Sequence, residues 1–178
     1  MGDRDYRKVI KNSIQSVGRE LDYKFAKDDI TKIHTSEVTG CLRRAFYDRT
    51  DEIEVDRTSF SDLVGGMFRK LEFGAQPTDF SLEDISLKVQ ADLIADDLVM
   101  IFRSVGEFPE GPIAKDLLYI NACLWGYDKM DGVLIYIDGK GDEISFSVTK
   151  NKKMFEETIR RVRVLQNYLN EKKTPTLE

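Results

Sequence analysis

Two ionisable residues stand inside apolar sequence where an unpaired charge is costly. Asp92 lies in Val89-Gln90-Ala91-Asp92-Leu93-Ile94, and Arg103 closes the run Leu98-Val99-Met100-Ile101-Phe102-Arg103. The two β-prone runs flank Ala95-Asp96-Asp97, which is a hairpin signal. Charges buried in strands must be paired or must bind something, so both residues are candidates for function. A carboxylate can contribute to a Mg²⁺ or Mn²⁺ site, although one alone holds such an ion poorly. An arginine can pair with a phosphate or with Asp92, but its pKa bars it from accepting a proton. A buried ion pair across the hairpin is the purely structural alternative.

A second group is basic and aromatic. Arg43, Arg44 and Arg49 interleave with Phe46 and Tyr47 in Leu42-Arg43-Arg44-Ala45-Phe46-Tyr47-Asp48-Arg49. Such a mixture holds phosphates and stacks on bases; a solvated helix face with an aromatic anchor is the alternative. His34 is the one histidine. With no second His or Cys at ligand spacing it reads as a capping or surface residue. Cys41 and Cys123 are too few for a disulfide framework and are expected to be buried free thiols.

Around these residues the elements follow from periodicity. Tyr6, Val9, Ile10, Ile14, Val17, Leu21 and Phe25 recur three or four apart and predict an N-terminal helix with one apolar face. Residues 30 to 34 read as a short extended piece. Thr35-Ser36 is an N-cap signal for a helix over Glu37 to Arg49. Ser59 and Asp62 open another helix through Leu71 that contains Gly65-Gly66. Residues 74 to 79 read as a loop before the central hairpin. Pro112 opens a helix that ends near Gly126. Val133 to Ile137 is an apolar strand, Asp138-Gly139-Lys140-Gly141 a turn, and Ile144, Phe146 and Val148 alternate in the returning strand. A last helix spans Met154 to Lys172, with Arg160, Arg161 and Arg163 expected on its solvated side. The order describes an α/β or α+β domain with a central mixed sheet flanked by helices.

Composition limits the functional classes. A chain of 178 residues, 41% hydrophobic and 33% charged, supports one core. The partition expected is an N-terminal helix over 1–29, one domain over 30–172 and a tail over 173–178. No apolar run is long enough for a membrane span, and Met1 to Asp5 lacks the order of a signal peptide, so a cytoplasmic protein is expected. A net charge of -5 argues against a generally basic nucleic-acid coat and leaves room for a local patch.

The string Ser36-Glu37-Val38-Thr39-Gly40-Cys41-Leu42-Arg43-Arg44-Ala45-Phe46-Tyr47 resembles the Ser-x-x-x-x-Cys-x-Arg-x-x-x-Tyr opening of the RecB-like branch of the PD-(D/E)XK nucleases, nearest its small archaeal and CRISPR-associated exonucleases. By pattern and spacing the resemblance runs from Thr35 to Val148. It implies a restriction-endonuclease-like core and a metal-dependent DNA nuclease ancestry. Asp92 matches the family's hairpin Asp, but Ile101 stands where its Glu belongs and Arg103 where its Lys belongs. Arg69 replaces the His of Gly-x-x-His, and Tyr119 with Cys123 stands for Gln-x-x-x-Tyr. Three further cysteines expected of cluster-binding members are missing, so no iron-sulfur cluster is expected.

Losing an acid, a base and a histidine should leave very little turnover, since general acid-base groups each contribute on the order of a hundredfold to ten-thousandfold. The first expectation is therefore a catalytically silent nuclease-fold protein with no cofactor. It would bind DNA or a protein of a nucleic-acid-processing complex, with Arg43, Arg44, Tyr47, Arg49, Arg69 and Arg103 facing phosphate if they converge. The alternative is an active Mg²⁺- or Mn²⁺-dependent nuclease in which Glu72, Glu107 or Asp116 supplies the displaced second acid. A scaffold subunit of a larger complex, homo-oligomeric or not, is the third reading.

Overall fold

The computed structural model describes residues 28–51 and 75–176. The expected N-terminal helix, the Ser59 to Leu71 helix, Arg69 and Glu72 lie outside those residues. Two sheets are built around one helix. The smaller contains β1 (Lys32–His34), β2 (Thr78–Leu82) and β3 (Ile85–Val89), ordered β1-β3-β2, with β1 parallel and β2 antiparallel to β3. The larger is β4 (Leu93–Ala95), β5 (Leu98–Ser104), β6 (Asp131–Ile137) and β7 (Glu143–Thr149) in sequence order. Its outer pairs are antiparallel hairpins, and the central β5/β6 pair is parallel. Parallel strands need a crossover, and α3 (Ala114–Gly126) supplies it. Helices α1 (Thr35–Thr39), α2 (Leu42–Thr50) and α4 (Lys152–Glu171) complete the described elements.

Alternation fixes which faces are buried. On β5, Val99 and Ile101 are fully buried, as are Leu134 and Tyr136 on β6, and Ile120, Cys123 and Leu124 of α3 join the same core. Gly132 lets the helix come close: a Cβ there would lie 2.8 Å from the Val99 carbonyl oxygen and 2.9 Å from Ile120 Cδ1. A side chain at that position would have to displace the β5 backbone beside it, whereas the end of the Ile120 side chain can give way.

Several sequence expectations change. Val89 ends β3, so Asp92 sits in the short link between two strands instead of inside one. Thr78–Leu82 is a strand paired along β3, where a loop was expected as far as Asp79; its polar residues, Thr78, Asp79 and Ser81, mask the alternation. The helix read as Glu37 to Arg49 starts at Thr35 and breaks at Gly40-Cys41, leaving Cys41 exposed at the N-cap of α2; only Cys123 is a buried thiol. Arg161, expected to be solvated, donates to the Val38 and Gly40 carbonyls and ties α4 to the end of α1. No helix among the described residues is long and apolar enough to cross a membrane.

Candidate functional site: an arginine between two aspartates

Val99, Ile101 and Arg103 share one face of β5 because side chains alternate along a strand. Extending the β4/β5 register by one residue from Leu93↔Met100 brings Asp92 opposite Ile101. Asp92 Oδ2 accepts the Phe102 N–H at 2.9 Å, which fixes the 3%-exposed carboxylate beside Arg103. Asp116, in the first turn of α3, is delivered to the same point by the crossover.

The guanidinium lies between the two acids. Arg103 Nε donates to Asp116 Oδ1 at 3.1 Å, and Nη1 is 3.6 Å from Asp92 Oδ2 while donating to the Phe102 carbonyl at 2.8 Å. Its flat face rests on Tyr119, 4.7 Å from the ring centroid, and the Tyr119 hydroxyl donates to the Gln90 carbonyl at 2.7 Å. A planar cation over an aromatic face is favourable. Burial disfavours the charge on Arg103, but Asp92, Tyr119 and Asp116 outweigh it and raise the pKa above the ordinary arginine value. Among the described residues Nη2 has no hydrogen-bond partner, and 23% of the side chain is exposed.

Tyr136 closes the network from below. Its hydroxyl donates to Asp116 Oδ2 at 3.0 Å and accepts the Ile113 N–H at 2.9 Å. Burial, with the Asp116 charge beside it, pushes its pKa up to about 12, so it stays a donor at neutral pH. Burial chiefly, and then Asp92, likewise raises the Cys123 thiol, which leaves it protonated and inert.

Asp92, Arg103 and Asp116 are thus brought together. Glu107 lies instead on the exposed loop after β5. Arg43, Arg44 and Tyr47 are carried by α2, which packs on α1 and α4. Arg49 departs from that group: its guanidinium is buried, bonded by Nε and Nη2 to Glu37 at 2.5 and 2.9 Å and by Nη1 and Nη2 to the Asp29 and Lys32 carbonyls. It therefore cannot turn to a phosphate without leaving Glu37 buried and unpaired. Sequence reasoning missed Tyr136, read only as part of an apolar strand. Period two aligns it with buried Leu134, and a buried tyrosine hydroxyl needs a partner.

Among the described residues the cleft offers a divalent ion only Asp92 and Asp116. Ile101, fully buried, occupies the position two before Arg103 where a second acid would lie on the same face. The space between Asp92 and Asp116 already holds a positive charge, and a dication would have to displace it. Among the described residues no group of three or more His, Cys, Asp or Glu could hold a metal.

The fold is thus a mixed sheet with a parallel central pair, crossed by one helix that brings an acid to the hairpin Asp. Solved structures share it. The crystal structure of SSO0001 matches with a TM-score of 0.67 at 13% identity, over 89% of this chain and 87% of that one. A phage-related exonuclease from Haemophilus somnus 129PT matches with a TM-score of 0.54 at 8% identity, over 79% and 94%. LHK-Exo, an alkaline exonuclease from Laribacter hongkongensis, in complex with dAMP, matches with a TM-score of 0.50 at 10% identity, over 80% and 90%. No protein-family model and no curated protein matches the sequence.

Proposed function

We propose that this chain is a catalytically degenerate RecB-like nuclease-fold protein that binds DNA without cleaving it. The observation that carries the reading is Arg103 bridging Asp92 and Asp116 beside buried Ile101. An internal cation fills the gap that a metal would need. Binding survives the substitution in principle, because 23% of the Arg103 side chain stays exposed and a guanidinium can meet a phosphate oxygen there. Exposed Arg44 and the Arg43–Tyr47 pair on α2 add cationic and aromatic surface. The resemblance to CRISPR-associated and archaeal members makes nucleic-acid metabolism or defence in the cytoplasm the setting proposed.

Retention of labelled DNA should fall steeply with salt, because phosphate contacts release counterions. It should be abolished by Arg43→Ala with Arg44→Ala. No retention at low salt removes DNA binding. One observation favours a second reading, an active nuclease: Asp92 and Asp116 do share one cleft. Mg²⁺- or Mn²⁺-stimulated degradation that disappears in Asp92→Asn would establish that reading. A scaffold role in a larger complex predicts instead a defined assembly by size exclusion with light scattering, and no DNA retention.

A further inference from the structure

We infer that β7, the last strand of the larger sheet, pairs antiparallel with β7 of a second copy of this chain about a two-fold axis through Phe146. The two larger sheets then run on as one.

The edge is open. At the two ends of the β6/β7 register the Asp138 N–H donates to the Asp142 carbonyl at 3.0 Å and the Lys150 N–H to the Met130 carbonyl at 2.8 Å. Hydrogen-bonded and non-hydrogen-bonded pairs alternate along an antiparallel ladder, so Ile144, Phe146 and Val148 turn their N–H and C=O groups to β6. Glu143, Ser145, Ser147 and Thr149 turn theirs outward, where no described residue meets them. Native edges are blunted by shortness, lysine, proline or bulges. Strand β4, at the other edge, is three residues long. Strand β7 is seven, Glu143-Ile144-Ser145-Phe146-Ser147-Val148-Thr149, without lysine or proline and in unbroken register with β6.

The strand's own sequence names the occupant, because β7 turned about Phe146 is complementary to itself. Ser145 meets Ser147 and Glu143 meets Thr149 as hydrogen-bonded pairs, since all four present outward groups. Between them Ile144 meets Val148 and Phe146 meets Phe146, apolar against apolar. Glu143, the one charge in the strand, never faces itself, and a step further Asp142 falls opposite Lys150. The axis stands perpendicular to the sheet, so α3, which packs on β5, β6 and β7, lies on the same side in both copies. The two Arg103 clefts open in opposite directions, because β5 and β6 of one copy run against those of the other. Pairing therefore leaves both clefts free, and the inference stands apart from the DNA-binding reading. One strand pair makes a small interface of the exchanging kind.

Sedimentation velocity of the full chain over a concentration series tests this, with a reversible equilibrium of monomer and dimer expected. Ser147→Pro removes an outward N–H that β6 does not use, which an edge strand tolerates. It should leave the circular dichroism unchanged and the chain monomeric. Ser145→Lys with Ser147→Lys sets like charges opposite one another and should weaken the dimer about tenfold, as should Ser145→Glu with Ser147→Glu. Mixing these two variants should restore association, since each lysine then faces a glutamate. A wild-type chain that stays monomeric throughout overturns the second copy as the occupant. A dimer that survives Ser147→Pro overturns the edge as its site, and failure of the mixed variants to associate overturns the register.

Discussion

Two arginines are each enclosed by acids in this molecule, and they do different things. Arg49 is sealed: its side chain is 3% exposed, it meets Glu37 with two nitrogens, and its other contacts are backbone carbonyls. Glu37 Oε2 also accepts the His34 N–H at 2.7 Å, so the pair joins β1, α1 and α2. Arg103 is left partly open. It divides its charge between Asp92 and Asp116, keeps 23% of its side chain exposed and has Nη2 without a hydrogen-bond partner among the described residues. The first arrangement engages all three nitrogens and four of the five N–H donors, and serves the fold. The second leaves part of a paired cation facing solvent, as the proposed binding role requires.

The sharpest way to break this contrast is to remove each cation in turn. Arg49→Ala strands a buried carboxylate and should cost about 3–5 kcal/mol in urea unfolding. Glu37→Leu with Arg49→Met should recover most of that loss, because a buried pair is often replaceable by packed apolar groups. Arg103→Ala leaves both Asp92 and Asp116 buried without their cation and should cost a similar amount, about 3–5 kcal/mol. Unlike the wild type, that variant should gain melting temperature with Mn²⁺.

Tyr136→Phe is the next smaller step. It removes the hydroxyl shared by Asp116 and the Ile113 N–H, and should cost roughly 1–2 kcal/mol by leaving both under-satisfied. The effect should shrink in an Asp116→Asn background if the two act as one network.

The smallest effect is a pH dependence on the sealed side. Burial, and then the Arg49 charge, lowers His34 from 6.5 to about 4. The unfolded chain therefore binds more protons than the folded one between those values. Stability should be complete above pH 6.5 and decline as pH falls toward 4. The loss should be about 1–2 kcal/mol, because the ring is only partly buried. Unfolding midpoints across that range should flatten in His34→Gln.

Much of the site is legible in the sequence because a charge in an apolar run announces itself. Asp92 and Arg103 stand out for that reason, and the Asp96-Asp97 turn between their strands matches its sequence signal, with Asp96 at a φ of 52°. The pairing of Arg103 with Asp116 is less legible, since 13 residues and a loop separate them and only the β5-α3-β6 crossover brings them together. Glu37 and Arg49 were hidden because, on a charged amphipathic helix, nothing in the spacing distinguishes a buried arginine from a solvated one. Strand β2 is less legible because burial alternates along its partner β3, at Ile85, Leu87 and Val89, while the β2 sequence is largely polar.

Calorimetric titration of the wild-type chain with Mn²⁺ tests the central claim most directly. With Arg103 holding the position between Asp92 and Asp116, no saturable binding should appear, and Arg103→Ala should acquire a single site. Stoichiometric Mn²⁺ binding by the wild type that vanishes in Asp92→Asn would contradict the account.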